Sequence, residues 1–333
     1  MMTMPLAYTD DVEQSTAPLY DMLKDQYQED YWQTLAPYIH AINCLKKEKN
    51  AVILAHNYMT PDIFHGVADI VGDSLALARE AARTDADIIV QCGVHFMAET
   101  SKILCMDKKV LIPDLKAGCS LADSITANDV KLLREKYPDT PIVTYVNTSA
   151  EVKAESDVCC TSGNAVKIIN ALDSDTVLMI PDKYLAQYTQ NHTKKKILTW
   201  EGSCEVHERF TPEEIQNFRK RHEGITVLAH PECPPEVLAE VDYTGSTQQM
   251  IDYVEGKKPS HVVLITECSM SDNIAAAHPE MNLVRPCQLC PHMKRITLPK
   301  ILTALQTEQP EVIVEPELAE RALVPVTKML ELS

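Results

Sequence analysis

The sequence is short of glycine, phenylalanine and positive charge. Of 333 residues only 9 are glycine and 4 phenylalanine, and 31 Lys and Arg stand against 48 Asp and Glu, a net charge of -17. The basic deficit argues against a nucleic-acid surface, which neutralises phosphates with clustered Lys and Arg. It leaves a phosphate-bearing small molecule open, because helix N-termini and hydroxyls bind anions without net positive charge. No run approaches the ~20 apolar residues that a membrane span needs. The N-terminal stretch MMTMPLAYTDDVEQSTAPLYDML carries acids early and lacks a basic-then-apolar leader pattern. The expectation is a cytoplasmic protein.

Against these deficits stand 45% hydrophobic residues and eleven cysteines. The length allows two or three compact units. In a cytoplasmic chain eleven cysteines are not expected to form structural disulfides. A free cysteine is by default a small buried hydrophobe, and Cys44, Cys92, Cys105, Cys159, Cys160, Cys233 and Cys268 are read so. Cysteines that recur in loops at a regular period call for a metal hypothesis instead.

Such a period exists. Residues 1 to about 40 read as a polar, partly helical extension. Three apolar strand runs follow: AVILAHNY from Ala51, PIVTYVNTS from Pro141 and ITVLAHPEC from Ile225. Each leads to a small-polar turn opening an amphipathic helix, GDSLALAREAA, TSGNAVKIINAL and TGSTQQMIDYV, where Ser or Thr suits an N-cap. A second strand, a second helix and a third strand complete every unit. The third strands end at Cys119, Cys204 and Cys290, 85 and 86 positions apart. The unit is therefore β-α-β-α-β. Strands alternating with helices imply parallel sheets with right-handed crossovers, and a period this long is domain-sized. The expected fold is α/β: three pseudo-threefold-related domains around a central site, at 41–119, 120–204 and 205–290. The extension 1–40 precedes them, and 291–333 is expected to pack back on the first, its stretch from Gln306 to Leu332 reading as a strand and a helix.

Ligand sites in parallel sheets form beyond the carboxyl ends of the strands. Packed around a threefold axis, the units bring Cys119, Cys204 and Cys290 together with His56, Tyr145 and His230. Three thiolates can hold zinc with a fourth ligand, or three irons of a [4Fe–4S] cluster. Structural zinc usually draws on a local CxxC pair, here Cys287 with Cys290. One cysteine per unit fits the cubane better and leaves one iron open as a Lewis acid.

The motifs AHNY (55–58), GDSL (72–75), GVHFMAE (93–99), YVNTSAEVKA (145–154), TSGNAV (161–166), GSCEVH (202–207), HPEC (230–233), GST (245–247) and CPHM (290–293) closely resemble those of the quinolinate synthases of de novo NAD biosynthesis. The resemblance runs from about Lys46 to Leu332. It implies an oxygen-sensitive enzyme that condenses iminoaspartate with dihydroxyacetone phosphate, releasing phosphate and two waters to give quinolinate. It also implies one [4Fe–4S] cluster on three cysteines, which fall on Cys119, Cys204 and Cys290, the three that the period selects independently. Some members carry a longer CxxCxxC; here only Cys287 and Cys290 are present. A homodimer, and transient contact with an aspartate-oxidising enzyme that supplies iminoaspartate, are compatible with this.

For proton movements the choice falls on Tyr58, His230 and Glu232, with His56 near the substrate's anionic end. Alternate residues of an extended segment share a side, so His230 with Glu232, and Tyr145 with Asn147, can face one site. Ser74, Ser162 and Thr247 open helices at equivalent places and could form three anion pockets, although plain N-capping explains any one of them. His207 could support the cluster by contact from behind its ligands, or have only a surface or capping role. Lys153 and Lys183 could hold phosphate or be solvated. Cys287 could pair with Cys290 when the cluster is lost. The rivals are a cluster-dependent hydro-lyase and a metal-stabilised binding module, the latter requiring Cys287 as a ligand.

Overall fold

The computed structural model describes residues 6–286 and 288–333. Its core is three four-stranded parallel sheets. The first holds β1 (Ala51–His56), β2 (Ile70–Gly72), β3 (Ile88–Cys92) and β4 (Lys109–Leu111). The second holds β5 (Ile142–Tyr145), β6 (Val158–Cys160), β7 (Thr176–Ile180) and β8 (Lys196–Thr199). The third holds β9 (Thr226–Ala229), β10 (Tyr243–Thr244), β11 (His261–Ile265) and β12 (Asn282–Val284). The spatial orders are β2-β1-β3-β4, β6-β5-β7-β8 and β10-β9-β11-β12, one topology used three times. The first strand of each unit is central and covered on both faces. Its run of Val, Ile, Leu and Ala is therefore continuous rather than alternating.

Each sheet carries one strand more than the three-strand unit read from the sequence. The additions β2, β6 and β10 are edge strands of two or three residues. They are fastened in one way throughout. Asp69, Asp157 and Asp242 each precede an edge strand, and each carboxylate accepts the N–H of the central-strand residue Ile53, Ile142 or Val227, at 2.8, 2.7 and 2.7 Å. A buried N–H beyond the reach of so short an edge strand needs such a partner. Lys46, Arg134 and Arg219 pair with the same carboxylates at 2.7, 3.1 and 3.0 Å. The threefold likeness thus extends to single atoms.

In every unit the chain steps from the first strand to the edge, then crosses back over it to the third position. The switch in direction lies between the central strand and its inner neighbour, where an open parallel sheet forms a crevice at its carboxyl ends. The ends of β1, β5 and β9 deliver His56, Tyr145 and His230 to that crevice.

The N-terminal extension and the C-terminal segment differ from expectation. The helix Glu29–Glu48 crosses residue 40 without a break, because Trp32, Ala36, Ile39 and Ile42 recur at helical spacing and are buried in the core. The C-terminal segment forms two helices, with strand-like pairing confined to a bridge between Leu111 and Glu311. Helix Leu298–Thr307 packs on Glu29–Glu48, whereas Pro316–Leu332 lies on Ala150–Ala154 and β6 of the second sheet. The segment braces two units rather than one. Among the described residues no helix is long and apolar enough to cross a membrane.

Candidate active site

Three cysteine turns of one design open the site. Cys119 precedes the single turn Ser120–Asp123, Cys204 leads into the 3-10 turn His207–Arg209, and Cys290 into Met293–Arg295. In each, the cysteine carbonyl accepts the N–H four residues on: Asp123 at 3.0 Å, Glu208 at 3.0 Å and Lys294 at 3.1 Å. In each, the N–H groups two and three residues on approach the sulfur: Leu121 and Ala122, Val206 and His207, His292 and Met293. Burial pushes all three thiols up, Cys119 to about 12, and these N–H groups work against that rise. A metal centre would complete what the amides begin, since the thiolate is the ligand form.

All three sulfur-bearing residues border one cavity of about 750 Å³, partly open to solvent. Among the described residues no fourth cysteine borders it. The donor set, three partly buried cysteines each supplied with paired amides, fits a three-cysteine iron–sulfur site.

The turns are laced together. The Ser120 hydroxyl donates to the Ser203 carbonyl at 3.3 Å and accepts the Glu205 N–H at 3.1 Å. Glu205 in turn meets His292 at 2.9 Å. Gly202 lets the second loop pass this close, for a Cβ there would lie 2.5 Å from Ser124 Oγ and 2.6 Å from the Pro181 carbonyl.

The residues expected in the site, His56, Tyr58, Ser74, Tyr145, Asn147, Ser162, His230, Glu232 and Thr247, all border the same cavity. His56 Nδ1 accepts the Tyr58 N–H at 3.2 Å, and His230 Nδ1 accepts the Glu232 N–H at 3.4 Å. Burial lowers His56 to about 4 and His230 to about 3. Both rings are neutral near pH 7, with the proton on Nε2, and His230 Nε2 donates to Ser162 Oγ at 3.1 Å.

Glu232 joins the units. Its Oε1 accepts the Tyr145 hydroxyl at 2.6 Å, and its Oε2 lies 2.8 Å from His207 Nδ1. Burial opposes the charge, but the His230 and His207 rings and the Tyr145 hydroxyl outweigh it, holding the carboxyl well below its usual range. His207, stacked on His230 with centroids 4.7 Å apart, also sets Nδ1 3.1 Å from Cys204 Sγ. It is 2% exposed, so it is neither a surface residue nor a simple cap.

The three hydroxyls do not cap their helices. In two of them capping falls to neighbours: Asp73 accepts the Ala76 N–H at 2.9 Å and Ser246 accepts the Gln249 N–H at 3.3 Å. In the helix Ala165–Ala171 the N-cap Asn164 makes no side-chain capping bond, its Oδ1 instead accepting the N–H of Thr161 in the preceding turn at 2.6 Å. Ser74, Ser162 and Thr247 are thereby left to the cavity. Asn147 Oδ1 is buried with no partner in the protein, an acceptor aimed at something the fold does not supply. No lysine or arginine is among the described residues that line the cavity.

Several residues escaped the sequence reading. Thr266, fully buried, contacts both Tyr58 Oη at 2.5 Å and His207 Nε2 at 2.9 Å. Glu267, also fully buried, pairs with Lys294 at 2.9 Å and accepts the Cys290 N–H at 3.4 Å. The available signal was the TE pair closing SHVVLITEC, in the place that HPE occupies after β9. Lys153 is wholly buried, lies outside the cavity lining and bonds the Thr148 carbonyl, while Lys183 pairs with Glu208 at 3.0 Å away from the site. Neither is placed to hold phosphate. Cys92, Cys105, Cys159, Cys160 and Cys233 are buried as expected; Cys44 is exposed, and Cys268 intermediate. Cys287, and with it a pairing to Cys290, lies outside the described residues.

The profile of the family described as "Quinolinate synthetase A protein" matches residues 40–331. The chain is 59% identical over 327 residues to the quinolinate synthase of Sinorhizobium fredii, covering 98% of this chain and 91% of that protein. It is 60% identical over 319 residues to quinolinate synthase 2 of Mesorhizobium japonicum, covering 96% and 98%. To the quinolinate synthase of Xylella fastidiosa it is 61% identical over 292 residues, covering 88% and 86%. With agreement at this level along nearly the whole length of both partners, the chain belongs to the quinolinate synthetase A protein family of enzymes.

Proposed function

We propose that this enzyme makes quinolinate by condensing iminoaspartate with dihydroxyacetone phosphate, releasing phosphate and two waters, with a [4Fe–4S] cluster on Cys119, Cys204 and Cys290. The observation that carries the reading is the three equivalent cysteine turns converging on one cavity that also holds the hydroxyls of Ser74, Ser162 and Thr247 and the His56 and His230 rings. When bound, such a cluster supplies one iron without a protein ligand, a Lewis acid suited to drawing off hydroxyl groups as water.

The protein's own groups do the rest. Ser74, Ser162 and Thr247 offer three hydroxyls to two carboxylates and a phosphate, and Ser74 and Thr247 do so at helix N-termini. The Nε2–H of His56 reaches an anionic end of the substrate. Asn147 Oδ1 accepts from a substrate amine or hydroxyl, and Tyr145 holds a substrate oxygen. Tyr58, His230 and Glu232 move protons, with Glu232 ionised and His230 neutral at the start. The half-closed cavity limits loss of a reactive imine to water.

The same reading keeps three units at 41–119, 120–204 and 205–290, one sheet in each, and a cytoplasmic enzyme that receives iminoaspartate from an aspartate-oxidising partner. A homodimer is compatible with it. One observation favours a second reading: Cys204, His207 and Glu232 bring ligand atoms within 4.8 Å of one another, a donor set that also suits a single zinc ion.

Anaerobic purification with iron, sulfide and zinc quantitation separates the two. About four irons per chain, a Mössbauer subsite that shifts when quinolinate is added, and quinolinate formed from the two substrates are expected. Stoichiometric zinc, or four irons indifferent to quinolinate, overturns the cluster mechanism.

A further inference from the structure

Lys153 is completely buried, yet it does not border the cavity. It stands on the helix Ala150–Ala154 of the second unit, at the seam with the helix His95–Leu104 of the first. Its Nζ donates back to the Thr148 carbonyl and lies 5.6 Å from the centroid of the Phe96 ring. Across the seam Glu99 accepts the Ala150 N–H at 3.1 Å, and it is the carboxylate that most favours the charge on Lys153. Burial outweighs that help and lowers the ammonium from its ordinary value. A buried charge of this kind is weak stabilisation, since apolar replacement of a buried ion pair is often neutral or favourable. What the side chain does must be sought in what it holds.

It holds the turn that presents Asn147. Thr148 follows Asn147, which borders the cavity and whose Oδ1 is buried with no partner in the protein. The start of the turn is tied to the second sheet: the Val146 N–H donates to the Cys160 carbonyl at 2.9 Å, and Thr148 Oγ1 donates to the Tyr145 carbonyl at 3.0 Å. Its end runs into the helix Ala150–Ala154, where Ser149 caps by accepting the Val152 N–H at 3.4 Å. Between these anchors Lys153 supplies the donor at the Thr148 carbonyl. The Phe96 ring that its Nζ faces is itself part of the cavity lining, so one side chain touches both the turn and a wall of the site.

We propose that Lys153 is a positioning residue: by holding the Thr148 carbonyl it sets the turn from which Asn147 Oδ1 meets a substrate N–H or O–H. The proposal rests on the reading in which Asn147 accepts from a substrate amine or hydroxyl. It requires a donor at the tip of the side chain, because an apolar chain of similar length fills the space and leaves the carbonyl unheld.

The test uses anaerobically prepared holoenzyme matched for iron content, with three variants: Asn147→Ala, Lys153→Met and the Asn147→Ala/Lys153→Met double. The KM of each substrate is read separately. Loss of one hydrogen bond made equally in the ground and transition states should raise the KM of the substrate that Asn147 holds by about 10-fold in Asn147→Ala, with kcat within about threefold of the parent. Lys153→Met should raise the KM of that same substrate by about 3- to 10-fold and leave the other within about twofold. The double variant should be no worse than Asn147→Ala alone. If Lys153→Met does not fold or keep its iron, Glu99→Gln/Lys153→Met, which removes the charge from both sides of the seam, makes the same comparison. Unchanged KM values in Lys153→Met beside a raised one in Asn147→Ala overturn the positioning role alone. Unchanged KM values in Asn147→Ala overturn the role given to Asn147 and this proposal with it. A Lys153→Met enzyme that weakens both substrates equally, or losses that multiply in the double variant, would make Lys153 a packing residue and also overturn the proposal.

Discussion

Glu232 and His207 lie 2.8 Å apart, both under 4% exposed, the carboxylate from the third sheet's crevice and the imidazole from the loop of the second cysteine. The pair ties a proton-handling group to the cysteine turn through one ring. A second carboxylate oxygen reaches Tyr145 of the second unit, so neither end of Glu232 is free.

Glu232→Gln should therefore do more than remove a charge. An amide offers one acceptor where two donors now converge, leaving either Tyr145 or His207 against an N–H. A fall in kcat of about 100-fold or more is expected, with iron content retained. Steady-state kinetics on iron-matched protein checks it, and an unchanged kcat would remove Glu232 from the proton-handling set.

Replacing Cys119, Cys204 or Cys290 by alanine, one at a time, should abolish iron retention in each case. Cys44→Ala and Cys105→Ala should retain it, since neither residue borders the cavity. Iron and sulfide analysis of anaerobically reconstituted protein reads this without any assay. Retention in any one of the three removes that cysteine from the ligand set.

The aspartates that fasten the edge strands make a stability prediction in triplicate. Asp69→Ala, Asp157→Ala and Asp242→Ala each strip a partner from a buried central-strand N–H. Each should cost about 1–3 kcal/mol, read as a lowered denaturation midpoint. Equal costs would support equivalence of the three units in energy as well as in form. A negligible cost would mean water replaces the carboxylate.

Acid should weaken the fold partly through His56. Its folded value is about 4 against about 6.5 unfolded, so below pH 6.5 the unfolded chain binds a proton that the fold refuses. Stability is lost as pH falls from 6.5 toward 4. Between pH 7 and pH 5 the parent should lose about 2 kcal/mol more than His56→Gln, which has nothing to protonate there. Urea denaturation at the two pH values checks it, and equal losses would mean that the ring already titrates normally in the fold.

What the sequence made legible follows the strength of local patterns. The central strands, as unbroken apolar runs, and the cysteines, at a constant period, could be read directly. The edge strands could not: three residues such as Val158–Cys160 carry no periodicity, and their fastening depends on Asp157 meeting Arg134 and Ile142 across the fold. The hydroxyls of Ser74, Ser162 and Thr247 were found, but that Asp73 and Ser246 cap the first and third of these helices was not, because they stand beside Ser74 and Thr247 with equal aptitude. Thr266 and Lys294 were missed because their meaning lies in Tyr58, more than 200 positions away in sequence.

The cavity offers an anion the neutral rings of His56 and His230, hydroxyls and an amide beside four carboxylates, with no lysine or arginine among the described residues. This sets how an anion arrives as well as how it is held. The protein as a whole carries a charge of -17, which repels an anionic substrate at long range, whereas the contacts that bind it act only within hydrogen-bond reach. Added salt screens the repulsion and leaves those short contacts almost untouched. Capture of such a substrate should quicken as ionic strength rises, the reverse of a pocket that draws anions in with fixed positive charge.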